Sequence, residues 1–177
     1  MMGIPVKIVA ASTLSAVPMV YGLRTAKELR AEISILPTEQ VVDAFVAGAV
    51  DVALLPVHCV PTLAQAKVIT NFCVAPAKGE HTAVTAEWNV AAEAPVAALW
   101  VAREGVEPEL VDAIEEALTL GIERIYEALM AQNECPKVED YTYLTSQIDY
   151  LFDLTKHKAL EAYWKKLKKA TSHANPG

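Results

Sequence analysis

Short apolar runs alternate with helical periods over the first part of the chain, and a longer helical stripe takes over after residue 107. The run Val6–Ala11 is apolar and partly β-branched, which predicts a first buried strand. Ser12-Thr13-Leu14-Ser15 ends it. A helix follows from near Val17 through Tyr21 and Leu23, because Pro18 is tolerated only in a first turn. Residues 32–36 read as a second strand. Pro37-Thr38 then opens a helix, with Thr38 as its N-cap and Glu39 and Gln40 in its first turn. Val41, Val42, Phe45 and Val46 lie at helical spacing, and Gly48 supplies the stop. Residues 51–57 form a third strand, Pro61-Thr62 begins a short helix, and residues 67–76 make another strand. This β-α-β-α-β order predicts a mostly parallel sheet with right-handed crossovers.

Residues 81–88 place Thr82, Val84, Ala86 and Trp88 on one side and His81, Ala83, Thr85 and Glu87 on the other. That is the period-2 pattern of a half-buried strand. Residues 95–103 are nearly all apolar up to Arg103, which suits a strand covered on both faces. With a short connection ending at Pro95, the two arms predict an antiparallel ribbon at residues 81–103, with Trp88 and Trp100 packing across it. Beyond the ribbon, Pro108 starts a long helix with the apolar stripe Leu110, Ile114, Leu118, Gly121, Ile125 and Leu129, ended by Asn133 and Pro136. Two further helices are expected over residues 141–152 and 155–170. Lys165, Lys166, Lys168 and Lys169 crowd the end of the second, as a solvated helix terminus whose cations offset the dipole. The expected organisation is one domain, residues 1–177: a βα segment (1–80), the ribbon (81–103) and helices packing back on the sheet (107–170).

Composition narrows the class. Apolar residues make up 53% of the chain, which indicates a folded α/β protein, and a net charge of −7 argues against nucleic acid and anionic membrane as partners. Cys59, Cys73 and Cys135 form no CxxC pair and read as reduced core thiols in a cytoplasmic protein. The apolar stretch 6–20 is broken by Pro18 and lacks the charged start of a secretory signal, and no segment reaches membrane-spanning length. No glycine-rich loop, paired-carboxylate motif or metal-ligand spacing is present, so no cofactor, metal or catalytic residue is assigned.

The candidate binding residues are Ser12, Thr13 and Ser15 after the first strand, Thr38 after the second and His58 after the third. Ligands of open α/β sheets sit at the carboxyl ends of strands, and hydroxyls with free backbone N–H groups suit a carboxylate or phosphate there. The same residues also serve as ordinary helix caps. His58 and Cys59 are adjacent in an extended segment and point to opposite faces, so they do not form a nucleophile–base pair. His81 is expected on the polar face of the ribbon, and His157 and His173 on the surface.

Four fragments in order resemble the chorismate dehydratase and 1,4-dihydroxy-6-naphthoate synthase family of the futalosine route to menaquinone. Ser12-Thr13-Leu14-Ser15-Ala16-Val17-Pro18-Met19-Val20-Tyr21-Gly22-Leu23 resembles the family's SYLNxxPxxYGL opening. Gly48-Ala49-Val50-Asp51-Val52-Ala53-Leu54-Leu55-Pro56 resembles GEIDxALxP. The passage from Trp88 through Pro95 to Trp100-Val101-Ala102-Arg103 resembles the W…LPFVFAVWVAR return strand. Tyr143-Leu144-Thr145-Ser146-Gln147-Ile148-Asp149-Tyr150 resembles YLTxNIDY.

The resemblance implies the fold of type II periplasmic binding proteins, which hold a chorismate-like ligand between two lobes. It further implies that this chain keeps one lobe, with the ribbon sealing the gap left by the other. Thr13 and Ser15 stand where the family has Tyr and Asn, and the family's Asp-Gly is missing or displaced in Ala75-Pro76-Ala77-Lys78-Gly79. If active, the chain is a dehydratase of chorismate, a carbon–oxygen lyase. Otherwise it binds a small carboxylate metabolite without turnover, or acts as a homodimerising, regulatory module. A homodimer is expected because Val57, Val60 and Trp88 would lie exposed on the edge that once faced the second lobe.

Overall fold

Six strands form one mixed sheet in the order β2-β1-β3-β5-β4-β6, in a computed structural model that describes residues 5–63, 66–77 and 82–174. The strands are β1 (Val6–Ala11), β2 (Ala31–Leu36), β3 (Val52–Pro56), β4 (Ala66–Pro76), β5 (Ala98–Arg103) and β6 (Ile148–Leu151). The helices are α1 (Val17–Thr25), α2 (Thr38–Val46), α3 (Thr82–Glu87), α4 (Pro108–Ile122), α5 (Ile125–Gln132), α6 (Val138–Thr142) and α7 (Leu154–Ala174).

The α/β class and the lobe-like architecture are as expected, but the sheet is less parallel than the element order predicts. β1 pairs in parallel with β2 and β3, whereas β3–β5, β4–β5 and β4–β6 are antiparallel. An apolar run reveals a strand covered on both faces and says nothing about its neighbour. Here β5 returns between β3 and β4 and separates them. Pro56 faces Ala98, Val74 also faces Ala98, and Pro76 faces Ile148. The carboxyl ends of β1 to β4 and the amino ends of β5 and β6 therefore share one edge.

α1 and α4 cross at two glycines. A Cβ on Gly22 would fall on the Ala117 carbonyl oxygen, and one on Gly121 would fall on the Pro18 carbonyl oxygen. Only hydrogen at these positions lets the backbones approach so closely. With the right-handed crossovers that parallel strands favour, the path from β1 to β2 and back past β1 to β3 puts α1 and α2 on opposite sheet faces. The core is continuous through β1, β3 and β5, whose residues Ile8, Val9, Leu54, Leu55, Leu99 and Trp100 are fully buried.

The first arm of the expected ribbon is a helix. Val84, Thr85 and Trp88 are its buried residues, at i, i+1 and i+4. In so short a segment an i, i+4 pair satisfies both the strand and the helix period. The helix ends in a Schellman closure: the Val90 N–H bonds the Thr85 carbonyl and the Asn89 N–H bonds the Ala86 carbonyl, with Asn89 at φ 53°. Consequently Trp88 and Trp100 do not pair. The Trp100 indole N–H points to the Met19 sulfur at 3.2 Å, while Trp88 reaches Ser15.

Three other expectations change. The single long helix from Pro108 is broken at Arg124, where φ −129° and ψ 47° leave the helical region. Residues 141–152 are not one helix. A π-type turn at Tyr143–Gln147 leads into β6, which takes up the free edge of β4. Finally, Val57 (0% exposed), Val60 (6%) and Trp88 (1%) are covered within the chain, so these three residues offer no exposed apolar edge for homodimerisation. Trp88 turns inward at the end of α3, and Trp164 of α7 reaches over Val57 to bond its carbonyl at 3.1 Å. His81 lies outside the described residues.

Candidate functional site

The candidate binding residues come from the strand ends at the shared sheet edge. The turn after β1 carries Ser12, Thr13 and Ser15 and tightens into a 3-10 turn at Leu14–Ala16 before α1 begins. Pro18 sits in the first turn of α1, where its missing N–H costs no hydrogen bond. Thr38 is the first residue of α2, and Pro37 occupies the cap position in its place. Its hydroxyl bonds the Glu39 carboxylate at 3.1 Å. His58 is exposed in the turn after β3.

These five residues do not form one constellation. Ser12 and Thr13 line a cavity of about 350 Å³, together with Leu14, Val20, Ile35 and Gln132. Thr38 and His58 line another of about 290 Å³, with Glu39, Asp43, Cys59 and Trp88. Ser15 is fully buried. Its hydroxyl accepts the Trp88 indole N–H at 2.8 Å and donates to the Thr13 hydroxyl at 3.3 Å. A line of hydrogen bonds thus joins a wall of the second cavity, Trp88, to a wall of the first, Thr13.

Glu87, Trp88, Tyr143 and Tyr150 are the residues sequence reasoning missed. The Ser15 backbone N–H donates to Glu87 Oε2 at 3.3 Å, and the Tyr143 hydroxyl donates to Glu87 Oε1 at 3.0 Å. The Tyr150 hydroxyl donates to the Ser15 carbonyl at 2.7 Å. The backbone N–H expected to meet a ligand anion is therefore already held by a carboxylate of the chain. Burial, then the Glu87 charge and hydrogen bond, pushes the Tyr143 phenol well above its ordinary range. Burial, then Glu87 and Tyr143, does the same to Tyr150. Both remain donors at neutral pH. The signal was present: both tyrosines lie in the segment Tyr143-Leu144-Thr145-Ser146-Gln147-Ile148-Asp149-Tyr150. A helical reading of that segment hid that Tyr143 reaches Glu87 and Tyr150 reaches Ser15.

Of the three cysteines expected in the core, Cys73 is buried, Cys59 is half-buried and Cys135 is exposed. Burial raises the Cys59 thiol above its ordinary value, which disfavours the thiolate a nucleophile needs. Among the described residues, no group of three or more His, Cys, Asp or Glu is placed to hold a metal. Nor is any helix long and apolar enough to cross a membrane.

No family model matches the chain, and no curated protein matches it in sequence. Its fold is similar to that of solved structures. Protein AF1704 from Archaeoglobus fulgidus superposes with a TM-score of 0.70 at 12% identity, covering 94% of this chain and 98% of that one. The Candida albicans CA3427 gene product is described as defining a new family with the generic periplasmic binding protein structural fold. It matches with a TM-score of 0.60 at 9% identity, over 90% of both chains. At such identities the likeness is one of fold: an α/β lobe of the periplasmic-binding-protein kind.

Proposed function

We propose that this periplasmic-binding-protein-like lobe binds a small carboxylate metabolite at the carboxyl edge of its sheet, in the cavity walled by Ser12 and Thr13, and does so without turnover. The observation that carries the reading is the composition of that cavity. Ser12 and Thr13 offer hydroxyl donors, Gln132 an amide, and Val20 and Ile35 an apolar wall for a ring. The neighbouring cavity suits a carboxylate less well, because Glu39 and Asp43 lie on its wall and would repel it.

The resemblance to the chorismate dehydratase family makes chorismate the first ligand to try and the menaquinone route the first context. The family's two-lobed enclosure has its counterpart here in the passage between β4 and β5, both ends of which leave the same edge. Dehydration of chorismate requires a base beside the departing proton and a dry site. A single open lobe leaves its ligand partly solvated, which favours holding over conversion.

Calorimetric titration with chorismate tests the reading. Binding is expected to weaken by about a hundredfold in the Ser12→Ala/Thr13→Ala double variant, the loss of two hydrogen bonds to a carboxylate. It should change little with salt, since among the described residues neutral donors and no side-chain cation line the cavity. No heat and no thermal shift would remove the reading. Appearance of 3-[(1-carboxyvinyl)oxy]benzoate in the mixture would replace it with an enzymatic one.

A further inference from the structure

The lysine-rich end of α7 does not simply face water. Together with the turn after β3 it encloses a cleft of about 780 Å³, more than twice the volume of either edge cavity. His58, Pro61 and Thr62 form one side, and Trp164, Leu167, Lys165 and Lys168 form the other. Trp164, Leu167 and Lys168 lie at i, i+3 and i+4, so one helical face presents an indole, an aliphatic side chain and an ammonium to the same space.

We propose that this cleft is a second ligand site, independent of the edge cavity, and that it takes an aromatic carboxylate. Three observations converge on that class. The Trp164 indole is held in place by its N–H bond to the Val57 carbonyl at 3.1 Å, so it is a fixed wall against which a planar ring can pack. Among the described residues no carboxylate lines the cleft, although the chain carries 22 acidic residues against 15 lysines and arginines. Lys165 and Lys168 are both exposed and, among the described residues, neither is in an ion pair. Two unpaired ammonium groups beside an indole and a leucine complement a ring bearing one negative charge. The ring displaces water from Trp164, Leu167 and Pro61, and the carboxylate meets the lysines at the rim.

1-Naphthoate is the probe, followed through the Trp164 indole N–H signal in nitrogen-15 spectra and by calorimetry. The indole signal of Trp164 should shift on titration. Affinity should fall by about tenfold in the Lys165→Ala/Lys168→Ala double variant, whose changes lie at exposed positions that leave the core intact, and should fall as salt is raised. The Ser12→Ala/Thr13→Ala variant should bind the probe as the unaltered protein does, which separates this site from the edge cavity. Unchanged affinity in the lysine variant would overturn the proposal. So would equally tight binding of the uncharged 1-naphthalenemethanol, or a response confined to residues around Ser12 and Gln132.

Discussion

Trp88 donates its indole N–H to the Ser15 hydroxyl at 2.8 Å, tying two buried residues 73 positions apart. Trp88 closes α3 and Ser15 precedes α1, so the bond fastens the passage between β4 and β5 to the turn after β1.

Replacing Trp88 by Phe keeps most of the apolar burial and removes the donor. Ser15 retains its bond to Thr13, so the loss is expected at about 1 kcal/mol, the ordinary net value of one buried hydrogen bond. Trp88→Ala also opens a cavity and is expected to cost about 3–5 kcal/mol. In urea unfolding, Trp88→Phe and Ser15→Ala should be non-additive, because each removes the same contact. Additive losses would show that the bond contributes nothing.

The α1–α4 crossing predicts a second sensitivity. Alanine at Gly22 or Gly121 drives a methyl group into backbone carbonyl oxygen, which no side-chain rotation relieves. About 3 kcal/mol of stability should disappear in either variant. Gly48 is the control. It has φ 77° and nothing within 4 Å of an added Cβ, so Gly48→Ala should cost only the left-handed backbone penalty of about 1–2 kcal/mol. Equal melting-point losses at Gly22 and Gly48 would contradict the close approach.

Alkaline titration reads the buried phenols. The folded state raises the Tyr143 and Tyr150 pKa values above the unfolded value of about 10, so it holds these protons more tightly than the unfolded chain does. Their contribution to stability is complete below pH of about 10 and declines as the pH rises through the folded values. Unfolding free energy should therefore drop more steeply above that pH in the unaltered protein than in Tyr143→Phe or Tyr150→Phe. Glu87→Gln should soften the drop, since its charge contributes to both shifts. Phenolate absorbance showing all six tyrosines ionising together near pH 10 in the folded protein would refute the burial argument.

The apolar stretches 8–11 and 98–102 made β1 and β5 legible as strands, because burial on both faces demands apolar side chains. Thr38–Val46 was legible as a helix from its spacing and its Pro37 start. Residues 82–88 were not, because the pair Val84 and Trp88 fits either period and the decisive feature is the left-handed Asn89 that closes the turn. Ile148–Leu151 was hidden for a different reason. It is only four residues long, and its strand character comes from the edge of β4, where Ile148 pairs with Pro76, 72 positions away. The site divided along the same line. Ser12, Thr13, Thr38 and His58 follow from strand ends, whereas the burial of Ser15 depends on Glu87, Trp88 and Tyr150, which only the tertiary fold brings to it.

The antiparallel placement of β5 between β3 and β4 also sets an order of events at the ribosome. A nascent chain halted before residue 98 has made both neighbours of that strand and cannot join them, so each carries a naked hydrogen-bonding edge open to association with other chains. The sheet becomes continuous only when residues 98–103 emerge, and a translational pause just upstream would prolong the interval of greatest exposure.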